Sequence, residues 1–232
     1  MLYHLFIQLI MKIFIDIETH RVLEAKELTP ELQKAWKDRY VEKFKDEYNG
    51  NNVLAYQEKS ALFPEFSKVI CITIGFEYKD KFYTQSFSGL HEVNNVLLPF
   101  INRINTLSNR DDVKGDISFV GWNINGFDKP YLIKRMIING LDIPQSLSTY
   151  NLKPWECRDI DLMNFWKFGG MYPTPLEAAA ASLGIQSKSE EFDGRTLYKI
   201  PINEMNWTEL DKYCKEDVEV TYKIYKKLEK YF

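Results

Sequence analysis

Cysteine and histidine are scarce in this sequence, with three residues of each among 232. Cys71, Cys157 and Cys214 lie far apart, which excludes a disulfide scaffold, and no Cys-x-x-Cys or mixed Cys/His spacing predicts a zinc site. The three histidines show no ligand spacing either. We therefore expect reduced thiols in a cytoplasmic protein, and we assign the histidines to the surface or to structural positions.

Long apolar runs and an excess of positive charge are also missing. No run approaches the ~20 apolar residues that span a bilayer, so we expect no membrane association. Residues 2–10 are mostly apolar but lack the basic segment and cleavage site of a signal peptide; we predict that translation starts at Met11, leaving residues 1–10 as an N-terminal extension. The formal net charge of −3 excludes nucleic-acid binding by bulk positive charge, but not a local basic groove.

The composition is that of an ordinary globular protein, with 45% hydrophobic and 27% charged residues. Apolar alternation predicts strands at residues 12–18, 69–78, 81–87, 116–122 and 157–159. Helical periodicity predicts helices at residues 32–48, 53–60, 91–107, 127–139, 176–183 and 207–232, with another beginning at Asp161. We infer a single α/β domain over residues 11–232, in which helices flank a mixed sheet that contains an antiparallel hairpin.

Residues 20–60 form a polar, highly charged insertion between the first two strands. Within it, Thr29-Pro30 predicts a helix start, and apolar residues recur every four positions from Leu32 to Tyr48. We predict one amphipathic helix whose apolar stripe packs on the domain. Two roles remain open for this helix: it forms one wall of a substrate groove, or it only covers the edge of the sheet.

Two carboxylates interrupt the first apolar strand. Asp16 and Glu18 are two residues apart, so strand geometry points both side chains to the same face. Carboxylates held side by side repel each other unless another group compensates their charge. The pair therefore belongs either to a functional site or to the solvent-exposed face of an edge strand.

Two further polar motifs follow later elements. Residues 123–128 come after an apolar strand, at the end where α/β proteins place their ligands; an ordinary turn with Asp128 as a helix N-cap is the alternative. Tyr213 and Asp217 are four residues apart on the last predicted helix, so they share one helical face. For this pair the alternative is a surface aspartate on an amphipathic helix.

In this order, the three motifs resemble those of the DEDD superfamily of 3′–5′ exonucleases, which have an RNase H-like fold. Members carry Asp-x-Glu on the first strand, Asn-x-x-x-(Phe/Tyr)-Asp after a later strand and Tyr-x-x-x-Asp on a C-terminal helix. The tyrosine before Asp217 resembles the tyrosine subtype, DEDDy, since Lys212 stands where the histidine subtype has histidine. Residues 63–66 and 161–163 look like those of stand-alone relatives of the proofreading exonuclease domain of family B DNA polymerases.

The resemblance implies an enzyme that hydrolyses phosphodiester bonds from the 3′ end of single-stranded or frayed DNA and releases nucleoside monophosphates. It implies two divalent cations, Mg²⁺ or Mn²⁺, bound by four carboxylates: Asp16, Glu18, Asp128 and Asp217. Tyr213 would orient the attacking water, because a hydroxyl with a pKa near ~10 is a poor general base at neutral pH. A 3′–5′ exoribonuclease on the same fold and a nucleic-acid-binding module without turnover remain alternatives.

The resemblance also suggests substrate contacts, which are predicted at Ile17, Asn123, Phe127, Lys188 and Arg195. In the family, the backbone at the position of Ile17 lies near the terminal nucleotide. Phe127 is either a wedge against the substrate or a core residue beneath the neighbouring aspartate. The two basic residues precede the last helix and either contact phosphates or are simply solvated.

The expected partners are single-stranded DNA 3′ ends, with RNA as the alternative, and a separate DNA polymerase or replication protein. We expect no polymerase domain after Phe232, and too few residues for one before Asp16. We therefore expect the protein to act apart from a polymerase in repair or replication, or to proofread in trans.

Overall fold

The computed structural model describes residues 10–21, 24–111, 113, 117–153, 155–186 and 194–232, and the side chains of residues 39–41, 194 and 195 lie outside this description. Among these residues, five strands form one sheet: β1 (Met11–Arg21), β2 (Ser67–Tyr78), β3 (Lys81–Ser88), β4 (Ile117–Gly121) and β5 (Ile160–Asp161). Their order is β3-β2-β1-β4-β5. The β1–β2 and β2–β3 pairs are antiparallel and the β1–β4 and β4–β5 pairs are parallel, so the predicted mixed sheet is confirmed.

The β2–β3 hairpin has the two-residue connection that the sequence predicts. Lys79 and Asp80 both have positive φ, 51° and 60°, as a type I′ turn requires. The backbone twist of this turn matches the right-handed twist of the two strands. The antiparallel register then runs without a break from Tyr78 opposite Lys81.

The fifth strand begins later than the sequence predicts. The expected position was residues 157–159, but β5 covers Ile160–Asp161. Beside this segment, the main-chain N–H of Phe119 donates to a carboxylate oxygen of Asp159 at 2.9 Å. A side chain therefore replaces the backbone acceptor that a longer strand would have supplied at that position.

Helices flank both faces of the sheet. The α-helices are α1 (Pro30–Ala35), α2 (Glu42–Phe44), α3 (Asn52–Lys59), α4 (Leu98–Ser108), α5 (Asp128–Ile138), α6 (Leu162–Lys167), α7 (Leu176–Ser182) and α8 (Trp207–Leu228). π-helical turns cover Trp36–Val41 and Glu92–Leu97, and 3₁₀ turns cover Ala25–Glu27, Ser60–Leu62, Gly194–Lys199, Ile202–Glu204 and Glu229–Tyr231. None of the helices described is long and apolar enough to cross a membrane.

Alternation along β1 divides the apolar core between the two faces of the sheet. The odd-numbered residues from Ile13 to Ile17 pack with side chains of α4 and α5. Phe14 points the other way and packs with side chains of α6, α7 and α8. By the same alternation, Asp16 and Glu18 lie on the face that α8 covers.

The segment between β1 and β2 is helical, but it is not the single helix that the sequence predicts. α1 passes into a π-helical turn and then into α2, which ends at Phe44 rather than Tyr48. Apolar residues spaced by four drift about 40° per step around an α-helix, because four residues exceed one turn of 3.6. The wider i→i+5 turn absorbs this drift, and Trp36, Tyr48 and Tyr56 are buried in one apolar cluster.

Candidate active site

The end of β1 extends beyond β4. The two strands pair only up to Phe14, whereas β1 and β2 pair as far as Arg21. Past Phe14, the space on the β4 side of β1 lies at the carboxyl ends of two parallel strands, where α/β proteins bind ligands. The β1–β2 register also shifts between Glu18 and Thr19, and such bulges are frequent next to active sites.

α8 crosses the face of the sheet that carries Asp16 and Glu18. The side chain of Asn206 caps the first turn of this helix, and the apolar side of the helix packs on β1 and β4. Asp217 thereby faces the end of β1 and is only 5% exposed. Tyr213, one turn earlier, is half-buried and packs against an apolar cluster of α8 and β2.

Three carboxylates from these two elements converge. One oxygen from each of Asp16, Glu18 and Asp217 lies within 4.8 Å of the others. Mutual repulsion makes such a cluster unfavourable by itself, and a bound cation offsets that repulsion. Carboxylate oxygens are the ligands that Mg²⁺ and Mn²⁺ prefer, so the donor set fits a hard divalent ion.

Asp128 lies beside this cluster and is not part of the three-carboxylate group. Its Oδ1 accepts from the main-chain N–H of Ile17 at 3.2 Å. The N-cap of α5 is Phe127, so Asp128 does not occupy the capping position that the alternative interpretation gave it. Burial raises the pKa of Asp128 to about 7, the charge of Asp161 acts in the same direction, and the N–H of Ile17 acts against it.

Asp161 holds the turn between β4 and α5, a role that the sequence prediction missed. Its carboxylate accepts from the main-chain N–H groups of Asn123 and Asn125, both at 3.1 Å. It also caps α6 by accepting from the N–H of Asn164. The turn is tight. Asn123 has a φ of 69°, and a Cβ at Gly126 would lie 2.4 Å from Oδ1 of Asn123. In the sequence, Asp161 stands at the start of a predicted helix. This position indicates that it caps that helix, but not that it binds the turn before α5.

The other residues predicted to contact the substrate lie in different environments. Ile17 is buried, with its N–H directed to the carboxylate of α5. Phe127 packs against the core and also lines a surface cleft. Lys188 lies outside the described residues, as does the side chain of Arg195.

The cleft beside Phe127 has a volume of about 400 Å³ and lies between residues 62–65 and the start of α5. Its lining includes two lysines, one glutamate and three aromatic residues, namely Lys43, Lys134, Glu65, Phe63, Phe127 and Tyr131. The insertion contributes Lys43 to this lining. A larger cleft of about 900 Å³ lies at the opposite end of β4, near Ile117, and its lining contains none of the predicted site residues.

Comparison with protein families identifies the relatives of the chain. The model of a family described as "Predicted 3′-5′ exonuclease related to the exonuclease domain of PolB" matches residues 64–231, which is well over half of the sequence. The chain belongs to this family. The matched region contains Asp128, Tyr213 and Asp217, whereas Asp16 and Glu18 precede it. The sheet and α8 bring these two earlier acids to Asp217.

The chain is also similar to solved structures. The family B DNA polymerase from the archaeon Pyrobaculum calidifontis matches with a TM-score of 0.60 and 18% identity, over 95% of this chain and 24% of the polymerase. This likeness shows an α/β, RNase H-like fold. Exonuclease I of E. coli in complex with a dT13 oligonucleotide matches with a TM-score of 0.49 and 12% identity, over 94% of this chain and 40% of that protein.

The chain thus spans about a quarter of the polymerase and less than half of exonuclease I. No curated protein matches the sequence. What the family shows is an exonuclease-type domain.

Proposed function

We propose that the protein is a divalent-metal-dependent 3′–5′ exonuclease of the tyrosine subtype that acts on single-stranded or frayed DNA and releases nucleoside monophosphates. One observation carries the proposal: carboxylates of β1 and α8, far apart in the sequence, come within 4.8 Å of one another. Membership of a 3′–5′ exonuclease family gives this cluster its chemical context.

Asp16, Glu18 and Asp217 would bind the cations, with Asp128 completing the set from the end of α5. Bound divalent ions would supply positive charge that stabilises the negative charge developing on a phosphodiester during hydrolysis. The protein's own contribution is to fix the carboxylates before any ion binds. Packing of α8 on the sheet sets the position of Asp217, and the bond from Ile17 sets that of Asp128.

Tyr213 supplies a hydroxyl rather than an anionic ligand. We assign it the orientation of the attacking water, because it lies one helical turn from Asp217 and on the same side of α8. A phenol with a pKa near ~10 stays protonated at neutral pH, so it positions water and does not remove a proton. The half-buried ring packs against apolar side chains of β2 and α8, which limits the directions available to the hydroxyl.

The cleft between residues 62–65 and α5 is the proposed path of the nucleic-acid backbone next to the site. Lys43 and Lys134 line this cleft together with Glu65, which lies 3.8 Å from Lys134. The lining thus keeps one surplus positive charge, and such charge pairs with phosphates. Phe127 exposes part of its ring to the same cleft, where an unpaired base has a surface to pack on.

Matched DNA and RNA oligonucleotides with a label at the 3′ or the 5′ end test the proposal. In Mg²⁺, the 3′ label should leave at once as a mononucleotide, while the 5′-labelled strand shortens stepwise. Faster degradation of DNA supports the proposed substrate, whereas faster degradation of RNA makes the protein an exoribonuclease. Release of the 5′ label first, or no degradation of either strand in Mg²⁺ or Mn²⁺, contradicts the proposed function.

A further inference from the structure

A buried tyrosine lies between the strand and the helix that carry candidate ligands. Tyr131 is on α5, one helical turn after Asp128, and is only 3% exposed. Its ring packs in the apolar core and against Phe127, with 5.2 Å between the two ring centroids. A buried hydroxyl requires hydrogen-bond partners inside the protein, and those of Tyr131 come from outside α5.

The hydroxyl of Tyr131 reaches β1 through one main-chain carbonyl. It donates to the carbonyl oxygen of Ala61 at 3.0 Å, and the hydroxyl of Ser67 is also in hydrogen-bond contact with it. The Ala61 carbonyl accepts a second hydrogen bond, from Oγ1 of Thr19 at 2.8 Å. Thr19 follows Glu18 directly, at the shift in the β1–β2 register. One carbonyl oxygen therefore joins β1 to α5.

The segment that carries this carbonyl is itself fixed to α5. Arg135, one turn beyond Tyr131, donates through Nη1 to the main-chain carbonyl of Pro64 at 2.6 Å. The same guanidinium binds both carboxylate oxygens of Glu92, from Nε at 2.8 Å and from Nη2 at 2.6 Å. Such a bidentate pair holds its groups in one geometry. Because Pro64 is only three residues after Ala61, the Ala61 carbonyl is held close to one position relative to α5.

Glu18 thus lies between two residues that are both connected to α5. On one side, the N–H of Ile17 donates to the carboxylate of Asp128. On the other side, the hydroxyl of Thr19 donates to the carbonyl that Tyr131 also binds. A change in the spacing between β1 and α5 would therefore move two of the four candidate ligands relative to each other.

We propose that Tyr131 is a positioning residue for the divalent-ion site. Its hydroxyl, acting through Ala61 and Thr19, fixes the spacing between the candidate ligands of β1 and the one of α5. This inference rests on the proposed function and adds to it a residue that sets the affinity for the ion. Protein groups engage the hydroxyl, so it acts through them and not on the substrate. Removing a group that holds metal ligands in place typically lowers metal affinity by about 10- to 100-fold.

Binding of Mn²⁺ alone tests the inference, because it requires neither substrate nor turnover. Isothermal titration calorimetry without nucleic acid gives the dissociation constant. Tyr131→Phe keeps the ring and removes only the hydroxyl, so the dissociation constant should rise on the order of tenfold. Thr19→Val removes the other donor to the Ala61 carbonyl at nearly constant shape and should have a similar effect. Because both donors act through one carbonyl, the double variant should lose much less affinity than the product of the two single losses.

Activity supplies a second readout. With labelled single-stranded DNA, the Mn²⁺ concentration that gives half of the maximal rate should rise by the same factor in Tyr131→Phe. The rate at saturating Mn²⁺ should approach that of the wild type, because all four carboxylates and Tyr213 are retained. A purely structural role would lower the melting temperature and leave both values unchanged.

Tyr56→Phe is the matched control. Tyr56 is also buried, at 1% exposed, and its hydroxyl donates to the main-chain carbonyl of Phe66 at 3.5 Å, a few residues after Ala61. It comes from α3, which carries none of the candidate ligands. The variant should lose stability but bind Mn²⁺ as the wild type does.

The outcomes separate this inference from the proposed function. Wild-type Mn²⁺ affinity in Tyr131→Phe or in Thr19→Val overturns the inference, even though the 3′ nucleotide is still released. Loss of the same size in Tyr56→Phe also overturns it, because any lost buried hydroxyl would then have the same effect. If Tyr131→Phe does not fold, Thr19→Val alone decides. A wild-type protein that binds no Mn²⁺ and degrades no single strand overturns the proposed function, and the inference with it.

Discussion

At the residue scale, Asp128 is held differently from the other three candidate ligands. Its Oδ1 already accepts from the N–H of Ile17, and burial raises its pKa to about 7. A raised pKa favours the neutral form of this carboxyl group in the metal-free protein. Cation binding requires the charged form, so ion binding and proton release are coupled at this residue.

We predict that the metal-free protein loses stability between about pH 4 and pH 7. The pKa of Asp128 in the folded state lies above its ordinary value of 3.8, so protonation favours the folded state. This contribution is complete below pH ~4 and is lost as the pH rises through about 7. Asp128→Asn should flatten this part of the profile and still accept the bond from Ile17. Urea unfolding in EDTA measures the effect, and an unchanged profile in the variant would refute the raised pKa.

A second residue-scale prediction concerns Tyr213. Tyr213→Phe keeps the ring packing and all four carboxylates, so it should slow single-turnover hydrolysis on the order of 10²-fold and leave stabilisation by metal intact. Leu210→Ala, on the same helix and fully buried, should instead cost about 2–5 kcal/mol of unfolding free energy. Its rate per folded molecule should stay nearly unchanged. Wild-type rates in Tyr213→Phe would exclude the tyrosine subtype.

At the scale of elements, one side chain joins β5, α6 and the turn that leads into α5. The carboxylate of Asp161 accepts three main-chain N–H groups from these segments. Since that turn precedes Asp128, the position of the fourth candidate ligand depends on this link. The link acts across β4 and β5 and is not visible in any local pattern.

Asp161→Ala should therefore affect both stability and rate. Three N–H donors lose a charged acceptor, so the free energy of unfolding should fall by roughly 2–4 kcal/mol. The rate per folded molecule should fall as well, because the turn before Asp128 loses its anchor. Urea unfolding and single-turnover rates measure the two effects, with the exposed Asp142→Ala as control. If both variants behave alike, the turn is held by other contacts.

Elements with local signals could be predicted from the sequence. The hairpin turn at Lys79 and Asp80 and the long amphipathic α8 were confirmed, because turn chemistry and periodicity act within a few residues. The helix of the insertion was predicted without its π-helical turn, since burial of Trp36 in a tertiary cluster decides where the helix widens. β5 was placed too early, because the side chain of Asp159 takes over a backbone role.

The candidate site was also only partly visible in the sequence. The spacing of Asp16 and Glu18 indicates a shared face, and the structure adds Asp217 to it. The raised pKa of Asp128 depends on its burial. Its position depends on a hydrogen bond from a strand more than a hundred residues earlier in the sequence.

At the scale of the whole molecule, the carboxylate cluster connects the two ends of the sequence. Asp16 lies on the first strand and Asp217 on the last α-helix, so an ion bound to both exists only in the folded protein. A ligand that binds only the folded state stabilises it by mass action, by about 2.7 kcal/mol at a hundredfold excess over the dissociation constant.

We therefore predict a higher melting temperature in Mg²⁺ or Mn²⁺ than in EDTA. The rise should be smaller in Asp16→Asn, which lacks one anionic ligand of the cluster. Thermal unfolding of both proteins over a range of ion concentrations measures the difference. Equal shifts in the two proteins would mean that the ions bind elsewhere.

The most direct test of the account is the single-turnover release of the 3′ nucleotide from single-stranded DNA in Mg²⁺. Asp217→Asn removes one member of the carboxylate cluster and should abolish most of the release, with excess Mn²⁺ restoring little. Glu219→Gln removes an exposed charge two residues further along α8 and should keep the wild-type rate. A wild-type rate in Asp217→Asn would contradict the claim that this cluster is the catalytic centre.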